Sequence, residues 1–326
     1  MLARTMAAAL AACCTVALAA ASSSNDGWHD VLDTPALKSP LAARALLNGL
    51  ARAGDRLVAV GQRGHVLWSD DAGKTWTQAE VPVSSDLVAV TFADATHGWA
   101  VGHDGVVLHS DDAGRSWKLQ RDGRCAGAQG TETPLLDVWF RDASHGYAVG
   151  AFGLVLRTED GGATWEPWQH AVDNPKNLHL YAVRGIGDGV YMVGEQGLAL
   201  KLDPAAGRFR ALDMPYKGTL FGIAGSDHAI VVHGLRGSVL RSVDGGRSWQ
   251  SITTGLQVGM TASTRTDDGR LVLVSQAGHV LVSRDDGATF RAVHVERPLP
   301  AAAVVAPAAG TFVIAGPRGV QPLSRP

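Results

Sequence analysis

WAVGHDGVVLHSDDAGRSW, residues Trp99–Trp117, reads as a strand, a tight turn, a second strand, another tight turn and the start of a third strand. The same sentence recurs along the chain, so most of the sequence encodes architecture and the repeat has to be measured first. The Gly of each V-G-x-x-G-like turn serves as a ruler. It falls at Gly61, Gly102, Gly150, Gly194, Gly234 and Gly316, with Ser275 in the sixth of the seven slots. The spacings are 41, 48, 44, 40, 41 and 41 residues. Such units match a four-stranded propeller blade of roughly 40–50 residues better than a solenoid repeat, which is usually shorter or helical. No stretch beyond the first residues keeps a helical period. The sequence therefore predicts an all-β fold: a seven-bladed β-propeller of four-stranded antiparallel blades.

Eight residues after each ruler position comes a second signature, S/T-x-D-x-G-x-T/S-W/F. The first copy is Ser69-Asp71-Gly73-Thr75-Trp76 and the second Ser110-Asp112-Gly114-Ser116-Trp117. The third is Thr158-Asp160-Gly162-Thr164-Trp165 and the fifth Ser242-Asp244-Gly246-Ser248-Trp249. The sixth is Ser283-Asp285-Gly287-Thr289-Phe290. The fourth is degraded, with Leu202, Pro204, Ala206 and Phe209 in the matching slots, and the seventh runs out after Ser324. The signature resembles the Asp-box, or BNR repeat, of sialidase-type propellers. Its physics is structural: the Asp accepts N–H bonds within the turn, the Gly takes a positive φ, and the aromatic ring fills the space between sheets. Five copies argue against catalysis or metal binding by these Asp residues, because a catalytic group is needed once.

Charge is balanced, with 29 basic and 31 acidic residues, which argues against a nucleic-acid binder. Residues 1–21 read as a secretory signal peptide: Arg4, an apolar run from Met6, then Ala19-Ala20-Ala21 as an A-x-A cleavage site. Leu10-Ala11-Ala12-Cys13 resembles a bacterial lipobox, so the expectation is an exported, periplasmic or lumenal protein, released in soluble form or anchored through a lipid on Cys13. No later segment is long and apolar enough to span a membrane as a helix. Residues 22–326 then form one propeller domain. Cys125, remote from the leader pair Cys13 and Cys14, is expected to be a bystander thiol; there is no disulfide framework and no metal-ligand spacing. Trp28–Asp33 looks like the strand that follows an Asp-box Trp, and is expected to complete the seventh blade and close the ring.

In the second unit the four strands are expected at Leu87–Ala93 (A), Gly98–Gly102 (B), Val106–Ser110 (C) and Ser116–Gln120 (D). This order places the B–C turns and D–A connections on one face and the Asp-box turns on the other. The B–C turns vary: Gln62-Arg63, His103-Asp104, Ala151-Phe152, Glu195-Gln196, Leu235-Arg236, Gln276-Ala277, Pro317-Arg318. Variable loops on a rigid scaffold are where binding usually resides. The candidate partner-binding face therefore comprises Arg63, His103, Asp104, Phe152, Glu195, Arg236 and Arg318, with Arg121 and Arg124 from the longer connection after the second unit. Clustered Arg would suit carboxylates of a partner.

Two resemblances compete. Sialidases share the Asp-box propeller, but need an arginine triad, a Tyr nucleophile with a Glu partner, and an Asp acid. Of the four Tyr, Tyr147 and Tyr191 occupy the repeat slot of Trp99, Tyr181 falls in a predicted A strand and Tyr216 in a loop; the F/Y-R-I-P segment is absent. The other resemblance is carried by YAVGAFGLVLRTEDGGATW, Tyr147–Trp165, and spans about Trp28 to Pro326. It is similar to the photosystem II assembly and stability factor family of exported seven-bladed propellers. That resemblance implies no catalysis, no cofactor, a monomeric scaffold, and an Arg-rich face that binds membrane-protein assembly intermediates; it transfers to Arg63, Arg236 and Arg318 here. A propeller that binds glycans, or hydrolyses them as sialidases do, is the alternative.

Overall fold

The computed structural model describes residues 29–126, 133–308 and 310–323. The leader 1–21, Cys13, Trp28 and the side chain of Cys125 lie outside the described residues. Seven antiparallel sheets follow one another along the chain, each a simple meander. Six are four-stranded and the seventh has three strands among the described residues. The second blade consists of Leu87–Phe92, Gly98–Gly102, Val107–Ser110 and Lys118–Arg121, within two residues of the expected bounds. Each A strand lies against the A strand of the next blade, and the seventh (Ala303–Ala308) lies against the first (Leu47–Ala53), so the ring is closed.

The B strands are the cores of the blades. Every residue of Arg56–Gly61, Gly98–Gly102, Ile230–Gly234 and Leu271–Ser275 is buried. Both faces of each sheet are covered by neighbouring sheets, hence the near-continuous apolar runs. The ruler glycines are required by close approach and not by backbone angle, since φ at Gly61 and Gly102 is extended. A Cβ at Gly61 would lie 2.2 Å from the Leu46 carbonyl oxygen, and at Gly102 2.1 Å from that of Asp86. At Ser275 the hydroxyl instead accepts from the Ala277 and His279 amides at 3.2 and 3.0 Å.

The Asp-box turns are self-contained hydrogen-bond cages. Asp71 Oδ1 accepts from Ser69 Oγ at 2.8 Å and from the Thr75 amide at 2.9 Å; its Oδ2 accepts from Thr75 Oγ1 at 2.7 Å. Asp112, Asp160, Asp244 and Asp285 repeat this arrangement. The indole N–H of Trp76, Trp117 and Trp249 donates to the box Gly carbonyl at 3.0, 3.1 and 3.2 Å. Trp165 differs: its buried Nε1 has no hydrogen-bond partner among the described residues, while the Gln120 side-chain amide reaches the same turn and donates to the Gly161 carbonyl at 2.9 Å. The box glycines have φ of +80 to +92, and a Cβ at Gly114 would meet Val58 of the preceding blade at 2.9 Å. In the fourth blade a plain hairpin replaces the box. Ala199–Asp203 pairs with Arg208–Ala211, and buried Phe209 takes the aromatic place.

Two blades depart from the apolar rule at equivalent positions. In six blades the A-strand residue paired with the residue before the ruler is Gly or Ala: Gly49, Ala89, Ala182, Gly222 and Ala262, each third in its strand, and Ala303 at the start of the seventh. In the third blade that residue is Asp137, buried, accepting from the Val183 amide at 2.8 Å and paired with Arg184 of the next blade. In the fifth, Gly222 leaves room for His233, where five other blades have Val. His233 Nδ1 lies 3.0 Å from the Met260 carbonyl and Nε2 3.0 Å from Ser263 Oγ. A carbonyl only accepts, so Nδ1 donates to Met260 and Nε2 accepts from the Ser263 hydroxyl. Burial lowers the His233 pKa to about 4 and keeps the ring neutral.

The segment expected to complete the seventh blade does otherwise. Residues 30–33 form a turn, with the Leu32 amide donating to Asp30 Oδ1 at 2.9 Å and the Asp33 amide to the Asp30 carbonyl at 3.0 Å. Leu32 is buried among Val81, Val83 and Val60 of the first blade region, and the Ser84 amide donates to the Val31 carbonyl at 2.8 Å. The short polar side chain of Asp30 favours this turn over an extended strand. Among the described residues the ring closes by packing: Leu57, Val305 and Val313 form a cluster with Leu50 and Trp76 across the first and seventh blades.

Leu57→Ala removes a fully buried side chain from that closing seam. It is expected to cost about 2–5 kcal/mol in denaturant unfolding. Acid should destabilise the fold in two stages. His233 has its folded pKa lowered from 6.5 to about 4, so its contribution is complete above pH 6.5 and declines as pH falls toward 4. Asp71 and Asp285 are lowered from 3.8 to about 2 by hydrogen bonds from Thr75 and Thr289, so theirs is lost below pH 3.8. Melting temperature measured against pH should show both declines, and His233→Val should shrink the upper one, leaving the smaller share of His65 and His109, whose pKa values burial also lowers.

Candidate functional site

The B–C turns of the first five blades share one backbone solution. Each is a single 3-10 turn whose middle residue is left-handed: Arg63, Asp104, Phe152, Gln196 and Arg236, with φ between 54 and 57. The turn docks onto the residue before its own A strand, as in Gln62 amide to Leu46 carbonyl at 3.1 Å and Leu235 amide to Thr219 carbonyl at 3.0 Å. Side chains of the next blade add to this. The Arg63 amide donates to Asp86 Oδ1 at 2.7 Å and the Phe152 amide to His179 Nδ1 at 2.7 Å. The turns are thus held rigidly while their middle side chains face outward.

A second feature belongs to the same face. The A strands of the first six blades begin with a bulge between the first residue and the one two places on, whereas the register shift of the seventh lies between Val305 and Ala308. The residues after the buried leading position are Asn48, Val88, Leu136, Tyr181, Phe221 and Thr261, all half-buried. They reach around the axis to the neighbouring blade: Asn48 Nδ2 donates to the Leu87 carbonyl at 2.9 Å and Thr261 Oγ1 to the Ala301 carbonyl. Across the third to fifth blades they extend an aromatic run. Phe152 and His179 have ring centroids 4.9 Å apart, His179 and Tyr181 6.4 Å, Tyr181 and Phe221 5.6 Å, all edge-on. Phe152 is 63% exposed, an unusual state for that residue.

The expected site residues divide into two groups. Arg63, Arg236 and Arg318 are exposed and make no ion pair among the described residues. Arg63 and Arg318 stand on adjacent blades, the first and the seventh, with Arg236 on the fifth. His103 is exposed and Asp104 half-buried on the second blade. Three others hold the fold. Glu195 Oε2 accepts from the His179 amide at 2.9 Å. Arg121 Nη1 donates to the Gly105 carbonyl at 3.2 Å. Arg124 pairs with Asp122 at 2.7 Å and with Asp33 at 3.0 Å, fastening the N-terminal segment to the connection after the second blade. Sequence reasoning missed His179 and Phe221 and took Tyr181 as strand filler. The available signal was variation: in the first six blades the position after the leading Leu or Met of the A strand changes widely, through Asn48, Val88, Leu136, Tyr181, Phe221 and Thr261, while the leading position stays Leu or Met.

A sequence model of the Photosynthesis system II assembly factor YCF48 family matches residues 51–129 and 126–299. The chain belongs to this family. Among solved structures it is similar to YCF48 bound to D1 peptide, with 17% identity, 89% of this chain and 96% of that chain covered, and a TM-score of 0.69. YCF48 from Cyanidioschyzon merolae gives 16% identity, coverage of 88% and 98%, and a TM-score of 0.66. The WD40 beta propeller domain of Doa1 gives 10% identity, coverage of 90% and 96%, and a TM-score of 0.69. At these identities the structures show the propeller fold alone. No curated protein matches the sequence. Among the described residues of this YCF48-family propeller, no helix is long and apolar enough to cross a membrane.

Arg63 and Arg124 should behave oppositely when truncated. Arg63→Ala is expected to leave stability within about 0.5 kcal/mol of wild type. Arg124→Ala should speed hydrogen exchange at the Ser84 amide, which holds the N-terminal segment, and Arg63→Ala should leave that amide unchanged.

Proposed function

We propose that this chain is an exported, non-enzymatic and monomeric scaffold that binds a polypeptide segment of a membrane-protein complex or its assembly intermediate. The segment docks on the face built from the B–C turns and the mouth of the ring. The observation that carries the reading is the combination on that face of three exposed guanidinium groups, Arg63, Arg236 and Arg318, with an aromatic run from Phe152 to Phe221. Guanidinium groups take carboxylates bidentately, and aromatic edges take apolar side chains, so the face suits an extended segment carrying both. Family membership supports this, since a YCF48 structure is bound to a D1 peptide. Residues 1–21 support export to a periplasmic or lumenal compartment. The rigid docking of the turns favours a preformed surface, which lowers the ordering cost of binding.

The test is a crosslinking pull-down from membranes, with wild type beside an Arg63→Glu/Arg236→Glu/Arg318→Glu variant whose melting temperature is unchanged. Wild type should capture a specific membrane protein and the variant should lose it. Equal capture by both would remove the three arginines from the reading. Absence of any specific capture by wild type would sink the scaffold role.

A further inference from the structure

The opposite face carries a second site, created where the fourth Asp-box is missing. At four other junctions the box acts as a clasp between blades. The carbonyl just before the box Gly accepts a hydrogen bond from the preceding blade. Ala113 accepts from Arg56 Nη1 at 3.3 Å, and Gly161 from Trp99 Nε1 at 3.0 Å. Gly245 accepts from Lys201 Nζ at 3.2 Å, and Asp286 from Arg241 Nε at 2.8 Å. Three of the four donors come from facing positions of strands B and C, where Trp99 pairs with His109, Tyr191 with Lys201 and Val231 with Arg241, while Arg56 opens strand B of the first blade. In the third blade the facing pair is Tyr147 and Arg157, and the fourth blade offers them no box. Its hairpin, closed by Pro204–Gly207, leaves the space open.

That space is a cavity of about 450 Å³ between the third and fourth blades, within the usual range of small-molecule sites. Two half-buried indoles, Trp139 and Trp168, and the Tyr147 phenol form its apolar walls. Arg157 lies 4.4 Å over the Trp168 ring and pairs with Glu159. Arg141, exposed at the rim, has no side-chain partner among the described residues. Burial raises the Tyr147 pKa, against the opposing Arg157 and Arg141 charges, so the phenol remains a hydrogen-bond donor at neutral pH. The junction of the sixth and seventh blades, where no box is found among the described residues, also opens a cavity, lined by Asp268, Arg270 and Arg284. It has no aromatic wall.

We propose that the cavity between the third and fourth blades binds an acidic saccharide: a pyranose ring bearing a carboxylate. Flat indole faces stack against the C–H face of a sugar ring. The Tyr147 hydroxyl and the Glu159 carboxylate donate to and accept from its hydroxyl groups, and Arg141 takes the carboxylate. This site is independent of the polypeptide-binding face, which lies at the other end of the blades.

The test is isothermal titration of the full chain with trigalacturonate and with the neutral galactotriose. Wild type should bind the acidic trisaccharide in preference to the neutral one. Arg141→Ala, at an exposed turn, should weaken acidic binding by about tenfold and erase the preference. Trp168→Ala, checked by its melting curve, should weaken both. No binding of trigalacturonate to wild type, equal affinity for the two saccharides, or binding unchanged by Arg141→Ala would each overturn the proposal. The arginine variants of the opposite face should bind trigalacturonate as wild type does, so the two readings fail separately.

Discussion

Each blade of this propeller is apolar on both faces, and only another blade can cover it. The B strands show the constraint most directly: Val58, Val60, Trp99, Val101, Val231 and Val232 have no exposed surface at all. A single such sheet in water would leave two large apolar surfaces exposed, and a row of them would leave one at each end. A closed ring leaves none, which is why the seventh blade packs on the first through Leu57, Val305 and Val313. Two of the exceptions to apolar packing in the ring come as matched sets. Asp137 has Arg184 and the Val183 amide; His233 has Met260 and Ser263, and a glycine opposite to make room. A buried polar group without such partners would destabilise the junction.

The Asp-box answers a different problem on the outer part of each blade. A tight C–D turn must hold its shape, cover the preceding blade and satisfy its own amides. The Asp carboxylate and the Ser or Thr hydroxyl satisfy the amides, the positive-φ glycine allows close approach, and its neighbour's carbonyl clasps the preceding blade. The fourth blade shows how separable these tasks are. Phe209 still fills the core, and Asp203 caps its own turn through the Ala205 and Ala206 amides, both at 3.1 Å. What is lost is cover over Tyr147, and a cavity results.

The two faces consequently have different freedom. Asp-box turns are tied into the blade packing and repeat closely. The B–C turns take their support from the backbone and from residues ahead of the A strands, so their middle side chains can change without cost to the ring. Arg63, Asp104, Phe152, Gln196 and Arg236 share one conformation and carry four different side-chain chemistries. Such a surface can change from turn to turn on a common scaffold.

The repeat, its period, the number of blades and the Asp-box positions were all legible in the sequence, because they depend on local chemistry: a glycine under a carbonyl, an Asp closing its own turn, apolar runs of fixed length. The face carrying Arg63, Arg236 and Arg318 was legible too, since strand alternation alone assigns turns to faces. Three things were decided only in three dimensions. Trp28–Asp33 resembled a D strand, yet the described residues 30–33 turn on Asp30 and bury Leu32 by the first blade, a choice set by a distant pocket. Arg124 looked like its fellow arginines until it proved to be held by Asp122 and by Asp33, the latter far away in sequence. The aromatic run from Phe152 to Phe221 and the cavity beside Tyr147 join residues from different blades. Local sequence sets what each blade is, but what lies between blades depends on pairs of residues brought together only when the ring closes.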